Sequence, residues 1–145
     1  MKVPQYVTVA EVKKVCKELG LRDWTKIKEP NITAKEAKII LNIVNVKKMG
    51  IALEDFRMGL EVELEHGTRF ADANVTNNHP ILTGMIVLAH MKETLDYYER
   101  LDVAEIEGDL LKAVLAKKLD KIEAKYKKLV EAQAALNKVV AAQLK

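Results

Sequence analysis

The chain has 145 residues, with 24 basic and 21 acidic side chains and a formal net charge of +3. That length suffices for one domain with a real core, and the balance is that of a soluble globular protein. A single cysteine, Cys16, excludes an internal disulfide and a cysteine-based metal site; the absence of serine excludes a Gly-x-Ser-x-Gly nucleophile, and scattered glycines exclude a phosphate-cradling loop.

Three prolines and six glycines leave long uninterrupted stretches rich in Ala, Leu, Lys, Glu and Val, which favours helices. Thr8-Val9-Ala10-Glu11 is the signature of a capping box. Val9, Val12, Val15 or Cys16, and Leu19 continue it as one apolar stripe that Gly20 stops. Cys16 reads as a small buried hydrophobe of that stripe. Residues 21–32 read as a loop with a short turn, from which Trp24 and Ile27 fold back onto the core. Thr33-Ala34-Lys35-Glu36 is a second capping box. Ala37, Ile40, Leu41, Val44 and Met49 follow at helical spacing to a stop at Gly50, and the capping signals outweigh the β-branched content of residues 39–46.

Leu53, Phe56, Leu60 and Leu64 define a third helix that ends at Gly67. Residues 68–79 are polar and irregular, and Pro80 suits the first position of a fourth helix. From Ile81 to Ala89 this helix is apolar on nearly every side, so it is expected to be central and buried. Gly84 would cost it stability unless another backbone packs closely there. It turns polar after His90 and is expected to run to about Val103. Gly108 marks a break, and a long fifth helix then runs to Lys145. The expected fold is all-α: a single bundle of about five helices, divided into a helical bundle domain over residues 1–107 and the fifth, a long basic amphipathic helix over 108–145, as part of the same domain or as a partner-docking extension.

In that last segment Leu119, Ile122, Tyr126, Leu129, Gln133, Leu136 and Val140 alternate steps of three and four, about three heptads of a seam. They are the candidate partner-binding residues, for self-association, for another protein, or for the helix's own bundle. Residues 112–145 carry nine lysines against Asp120, Glu123 and Glu131. A solvated face explains this; nonspecific nucleic-acid binding is the alternative, while the lack of arginine argues against sequence-specific reading.

Two strings remain that resemble chemistry. Glu63 precedes His66 by three residues and Glu93 follows His90 by three, so each pair shares a helix face. Across two antiparallel helices the mirrored order brings the pairs together, as metal sites in helical bundles require. Glu63, His66, His90 and Glu93 are therefore the candidate ligands of a divalent metal with nitrogen and oxygen donors. A buried polar network that fixes helix register is the reading preferred, because a full bundle metal site needs carboxylates from four helices and two Glu-x-x-His motifs. Chance spacing is the third. His79 is expected in a loop, or as a cap of the fourth helix. Tyr97 and Tyr98 are read as packing residues. No catalytic residue and no cofactor other than a metal is indicated.

Gly59-Leu60-Glu61-Val62-Glu63-Leu64-Glu65-His66-Gly67, Asn74-Val75-Thr76-Asn77, Leu82-Thr83-Gly84 and Leu88-Ala89-His90-Met91-Lys92-Glu93 with Asp96-Tyr97-Tyr98 occur in one order. Over residues 53–101 they resemble an uncharacterised family of small proteins of tailed bacteriophages and bacteria. In that pattern an acidic residue is usual at the position of His79, a lysine at Met85 and a proline near Thr94. Glu63, His66, His90 and Glu93 match it. The family brings no activity. It implies a non-enzymatic structural or accessory protein of a phage particle that docks on a protein partner through its last helix, in the virion or host cytoplasm. The alternative is a small metal-binding protein, an oxidoreductase or hydrolase. Met1–Tyr6 lacks the apolar run of a signal peptide, and Met85–Ala89, the longest apolar run, is too short to span a membrane.

Overall fold

A computed structural model describes residues 7–144, all of its regular structure helical. The segment Met1–Tyr6, read above for a signal peptide, and Lys145 lie outside the described residues. Among the described residues there are six α-helices: α1 (Val9–Glu18), α2 (Ala34–Val44), α3 (Leu53–Arg69), α4 (Pro80–Glu93), α5 (Tyr97–Leu115) and α6 (Leu119–Gln143), with short 3₁₀ turns at Trp24–Lys26 and Ala71–Ala73. The count is six because the fourth helix stops at Glu93 instead of continuing to Val103. Two compact units result, divided between Glu93 and Thr94. No helix is long and apolar enough to cross a membrane.

In the first unit, α2, α3 and α4 pack on one another, and α1 contacts α4 and the Trp24 turn. Thr8 caps α1 by accepting from the Glu11 N–H at 3.1 Å. In α1 Val12 and Cys16 are buried, while Val9 is exposed. Trp24, as expected, is fully buried, and Ile27 is half-buried. Thr33 and Glu36 form both halves of the capping box of α2. This helix ends at Val44, well before Gly50, because the Asn45 side chain braces the next turn: its Nδ2 donates to the Met49 carbonyl and its Oδ1 accepts from the Met49 N–H, both at 2.9 Å. Trp24, Ile32, Ile40, Phe56, Leu60 and Leu64 are the large side chains of the core. Each contributes about 1.5–3 kcal/mol on burial.

The fourth helix starts at Pro80 as its sequence predicts, but it is not enclosed. Thr83, Gly84, Val87, Leu88 and Met91 face inward, and Met85 is 55% exposed. Its contacts with α1, α2 and α3 leave Met85, Ala89, Lys92 and Glu93 exposed. Gly84 lets the Ile40 Cγ2 methyl come where a Cβ would stand, so a side chain and not a backbone fills the gap.

In the second unit α5 and α6 pack together as a helical hairpin. Gly108 lies inside α5 rather than at a break, since nothing in its surroundings prevents a helix from passing through it. The boundary expected at 107/108 therefore falls mid-helix. The real interruption is residues 116–118, where Lys117 adopts a left-handed φ of 55°.

Candidate functional site

Glu63 and His66 lie one turn apart on α3, and α4 brings His90 to the same carboxylate. Glu63 Oε2 is 3.6 Å from His66 Nδ1, and Oε1 is 3.5 Å from His90 Nε2. The Glu63 side chain is 11% exposed, that of His90 29% and that of His66 65%. Three of the four expected residues therefore meet; Glu93 stands exposed on the last turn of α4 and takes no part in those contacts. Bound zinc would need its donors about 2.0–2.2 Å from one common point. Here each ring addresses a different oxygen, and the carboxylate itself lies between them. Among the described residues no group of three or more His, Cys, Asp or Glu side chains is placed to hold a metal ion. Glu63 thus lies between a ring of α3 and a ring of α4.

The loop between these helices is built on Gly67. The Asn74 side chain donates to the Gly67 carbonyl at 3.3 Å and to Asn78 Oδ1 at 2.9 Å. A Cβ on Gly67 would overlap Asn78 Oδ1 and lie 2.8 Å from Asn74 Nδ2. Gly67 thus allows a close approach inside α3, which runs two residues past it, and is not the helix stop its sequence suggests. Asn77 and Asn78 take left-handed φ values of 48° and 60°, a conformation asparagine tolerates. Asn78 is buried, and the Asn77 amide donates to the Val7 carbonyl.

His79 closes the loop as the cap of α4. Its Nδ1 accepts from the Ile81 N–H at 3.2 Å and the Leu82 N–H at 3.3 Å. An accepting Nδ1 requires the neutral ring with its proton on Nε2. Burial pulls the His79 pKa below its ordinary value, against the smaller opposing effects of backbone hydrogen bonding and the Glu11 charge. An acidic residue at this position would cap the same N–H groups.

Two polar centres escaped the sequence reading. Glu36 is buried, and Arg22, Trp24 and Thr33 converge on it. The capping box gave the Thr33 contact; the Arg22 contact spans a loop, and no periodic signal announces it. Glu61 accepts from the buried Ile32 N–H at 2.9 Å and from Arg57 at 2.7 Å, which ties residues 31–33 to α3. Met85, Ile81 and Leu88 of α4 line an apolar groove of about 390 Å³ with Ile43, Val44 and Val46, and Lys47 and Lys92 also line it.

In the second unit, buried Asp96 precedes α5 and accepts from Arg100 at 2.7 and 3.0 Å and from the Thr94 hydroxyl. Hydrogen bonds from Arg100 hold its carboxyl below the usual range, against burial. This network occupies the break after α4. The expected α6 seam divides in two. Leu129 is buried, and Ile122, Leu136 and Val140 are half-buried. Leu119, Tyr126 and Gln133 are exposed. One neighbouring helix covers one stripe, and the other half of the seam faces water.

Residues 12–107 match the model of a family described as a protein of unknown function, DUF5661. The chain belongs to this family. No curated protein and no solved structure matches it. The DUF5661 match begins at residue 12, well ahead of residues 53–101. Glu63, the Gly67 loop and the His79 cap all fall within the DUF5661 segment. Helix α6 and the exposed half of its seam lie beyond it.

Proposed function

We propose that this DUF5661 protein is a non-enzymatic structural or accessory component of a tailed bacteriophage particle, docking on a protein partner through its C-terminal helix. The observation that carries the docking is the exposed apolar row of α6, where Leu119 is 78%, Tyr126 60% and Val130 51% exposed. A helix that already has an intramolecular partner yet keeps such a row in water presents a surface for another protein. The resemblance of the strings between Glu61 and Tyr98 to phage proteins supports the particle. The engagement of His66 and His90 with Glu63, and of His79 in a helix cap, supports a structural use of these residues over catalysis.

Mass spectrometry of particles purified from the phage that encodes the chain tests the reading. The chain is expected at a fixed ratio to the other particle proteins, and Tyr126→Glu is expected to lower that ratio. Particles that lack the chain reject it. The second reading, a metal-binding protein, is favoured by one observation: a single carboxylate, Glu63, lies within 3.6 Å of two imidazoles.

A further inference from the structure

The turn between α5 and α6 gathers lysines from both helices. Lys112 of α5 and Lys118, Lys121 and Lys125 at the start of α6 line one hollow of about 410 Å³, with Asp109 as its carboxylate and only alanines as its apolar part. Helical spacing explains the convergence, since 118, 121 and 125 are steps of three and four along one stripe. Asp109 accepts from Lys112 at 3.2 Å and from Lys125 at 2.5 Å, so those two charges are answered within the chain. Lys117, Lys118 and Lys121 are exposed and have no ion-pair partner among the described residues. Lys117 stands at the turn with its left-handed φ of 55°, and lines an adjoining hollow with Lys118, Lys121 and Asp120. Away from the turn, Glu105 and Asp102 continue the Asp109 stripe of α5 by helical spacing. The basic surface is therefore confined to the turn end of the hairpin.

We infer that this surface binds the backbone phosphates of double-stranded DNA without reading its sequence. It is separate from the row of Leu119, Tyr126 and Val130, so the inference does not rest on the docking reading. Charge selects an anion: the two hollows are lined by five lysines against Asp109 and Asp120, and three of those lysines are unanswered within the chain. Spacing suits a chain of phosphates. Lys118 to Lys125 spans about 10 Å of helix, and one DNA strand offers a phosphate about every 3.4 Å along the duplex axis. A protein partner suits it less, because no large apolar side chain lines the main hollow and lysine is depleted in protein interfaces, whereas interfaces with DNA are polar and positive. The lining has no aromatic ring on which the bases of a single strand could stack. Residues 112–145 contain no arginine, which removes the usual reader of base edges.

Fluorescence anisotropy of a labelled duplex of about 30 base pairs, titrated with the full chain at roughly 50–200 mM salt, tests the inference. Three phosphate contacts, from Lys117, Lys118 and Lys121, predict a log–log salt slope of about −2.7, so affinity is expected to fall about fortyfold across that range. Lys118→Gln combined with Lys121→Gln is expected to weaken binding at least about tenfold at roughly 50 mM salt and to flatten the slope to about −0.9, with helix content unchanged by circular dichroism. Lys138→Gln, which removes an exposed lysine near the far end of α6, is expected to change affinity less than about twofold. The single strand of the same sequence and vesicles of phosphatidylglycerol are expected to bind more weakly than the duplex. No duplex binding at roughly 50 mM salt with up to about 200 µM chain overturns the inference, as does a salt slope near zero. A loss in Lys138→Gln equal to that in the double variant, or tighter binding of the single strand or the vesicles, overturns it as well.

Discussion

Arg22 reaches across fourteen residues to grip Glu36 in a two-pronged ion pair, with Nη2 2.8 Å from Oε2 and Nε 3.0 Å from Oε1. The same carboxylate accepts from Trp24 Nε1 at 3.3 Å and from the Thr33 N–H and hydroxyl at 3.1 and 2.8 Å. One side chain thereby caps α2 and anchors the loop that follows α1, in a position only 5% exposed.

Glu36→Gln should destabilise the first unit by about 2–3 kcal/mol, since it leaves Arg22 and the Thr33 donors facing a weaker acceptor. Burial would push the Glu36 carboxyl up, but the bonds from Arg22, Thr33 and Trp24 together outweigh it and hold the pKa down at about 2. A depressed carboxyl stabilises the fold above its unfolded value, and that contribution fades as pH falls from about 4.5 to about 2. Urea titrations at pH 7 and pH 3 should show the wild type losing more stability than Glu36→Gln. Equal losses would mean that the ion pair does not anchor the loop.

The His79 cap gives a second pH window. Because burial lowers its pKa, His79 remains neutral in the fold at a pH where the unfolded chain takes up a proton. Its stabilisation is complete above about pH 6.5 and declines as pH falls below that value. His79→Asp keeps an acceptor for the Ile81 and Leu82 N–H groups and does not titrate in this range, so its thermal midpoint should fall less than wild type between pH 8 and pH 5. His79→Ala should cost about 1 kcal/mol at pH 8, the usual loss of a helix cap. A wild-type midpoint flat from pH 8 to pH 5 would remove the cap from the account.

Local signals carried the elements that local chemistry decides. Thr8, Thr33 and Pro80 open helices where their side chains predict, and Trp24 and the stripes through Ile40, Phe56, Leu60 and Leu64 are core. The Glu63–His66–His90 meeting was legible because helical spacing fixes which residues share a face. Contacts decided over several residues were not legible. The Asn45 brace ends α2 early, the Asp96–Arg100 pair marks the break after α4, and Arg22 finds Glu36 across a loop. Glycines misled for a related reason: Gly67 and Gly108 read as stops, but the environment decides what a glycine does, and both lie inside helices.

The glycines make a matched test. Gly108 sits within α5, and a Cβ there would meet nothing within 4 Å. Gly108→Ala should stabilise the chain by about 0.5–1 kcal/mol, the helix-interior difference between the two residues. At Gly84 a Cβ would overlap Ile40 Cγ2 and lie 3.4 Å from Val44 Cγ1, and at Gly67 it would strike the Asn74–Asn78 pair. Gly84→Ala and Gly67→Ala should each destabilise by about 1–3 kcal/mol, as overpacking does. Chemical denaturation of the three variants checks the order; a stabilised Gly67→Ala would show that the asparagine loop does not seat on this glycine.

The last prediction concerns Glu63. If the carboxylate is a brace between α3 and α4, its removal costs little more than the two contacts. Glu63→Gln should lower stability by about 1 kcal/mol, with His90→Ala similar and His66→Ala smaller, because the His66 ring is mostly in water. Added zinc or manganese should then leave the thermal midpoint unchanged, since a metal bound only by the folded chain would add about 2.7 kcal/mol at a hundredfold excess over its dissociation constant. The metal-site alternative makes the opposite forecast. Elemental analysis would find close to one metal per chain, lost in His90→Ala, and the midpoint would climb with added metal in wild type but not in that variant. Stoichiometric metal in the purified wild-type protein would falsify the brace as a full account of Glu63 and bring Glu93 back into consideration as a ligand recruited by movement of the end of α4.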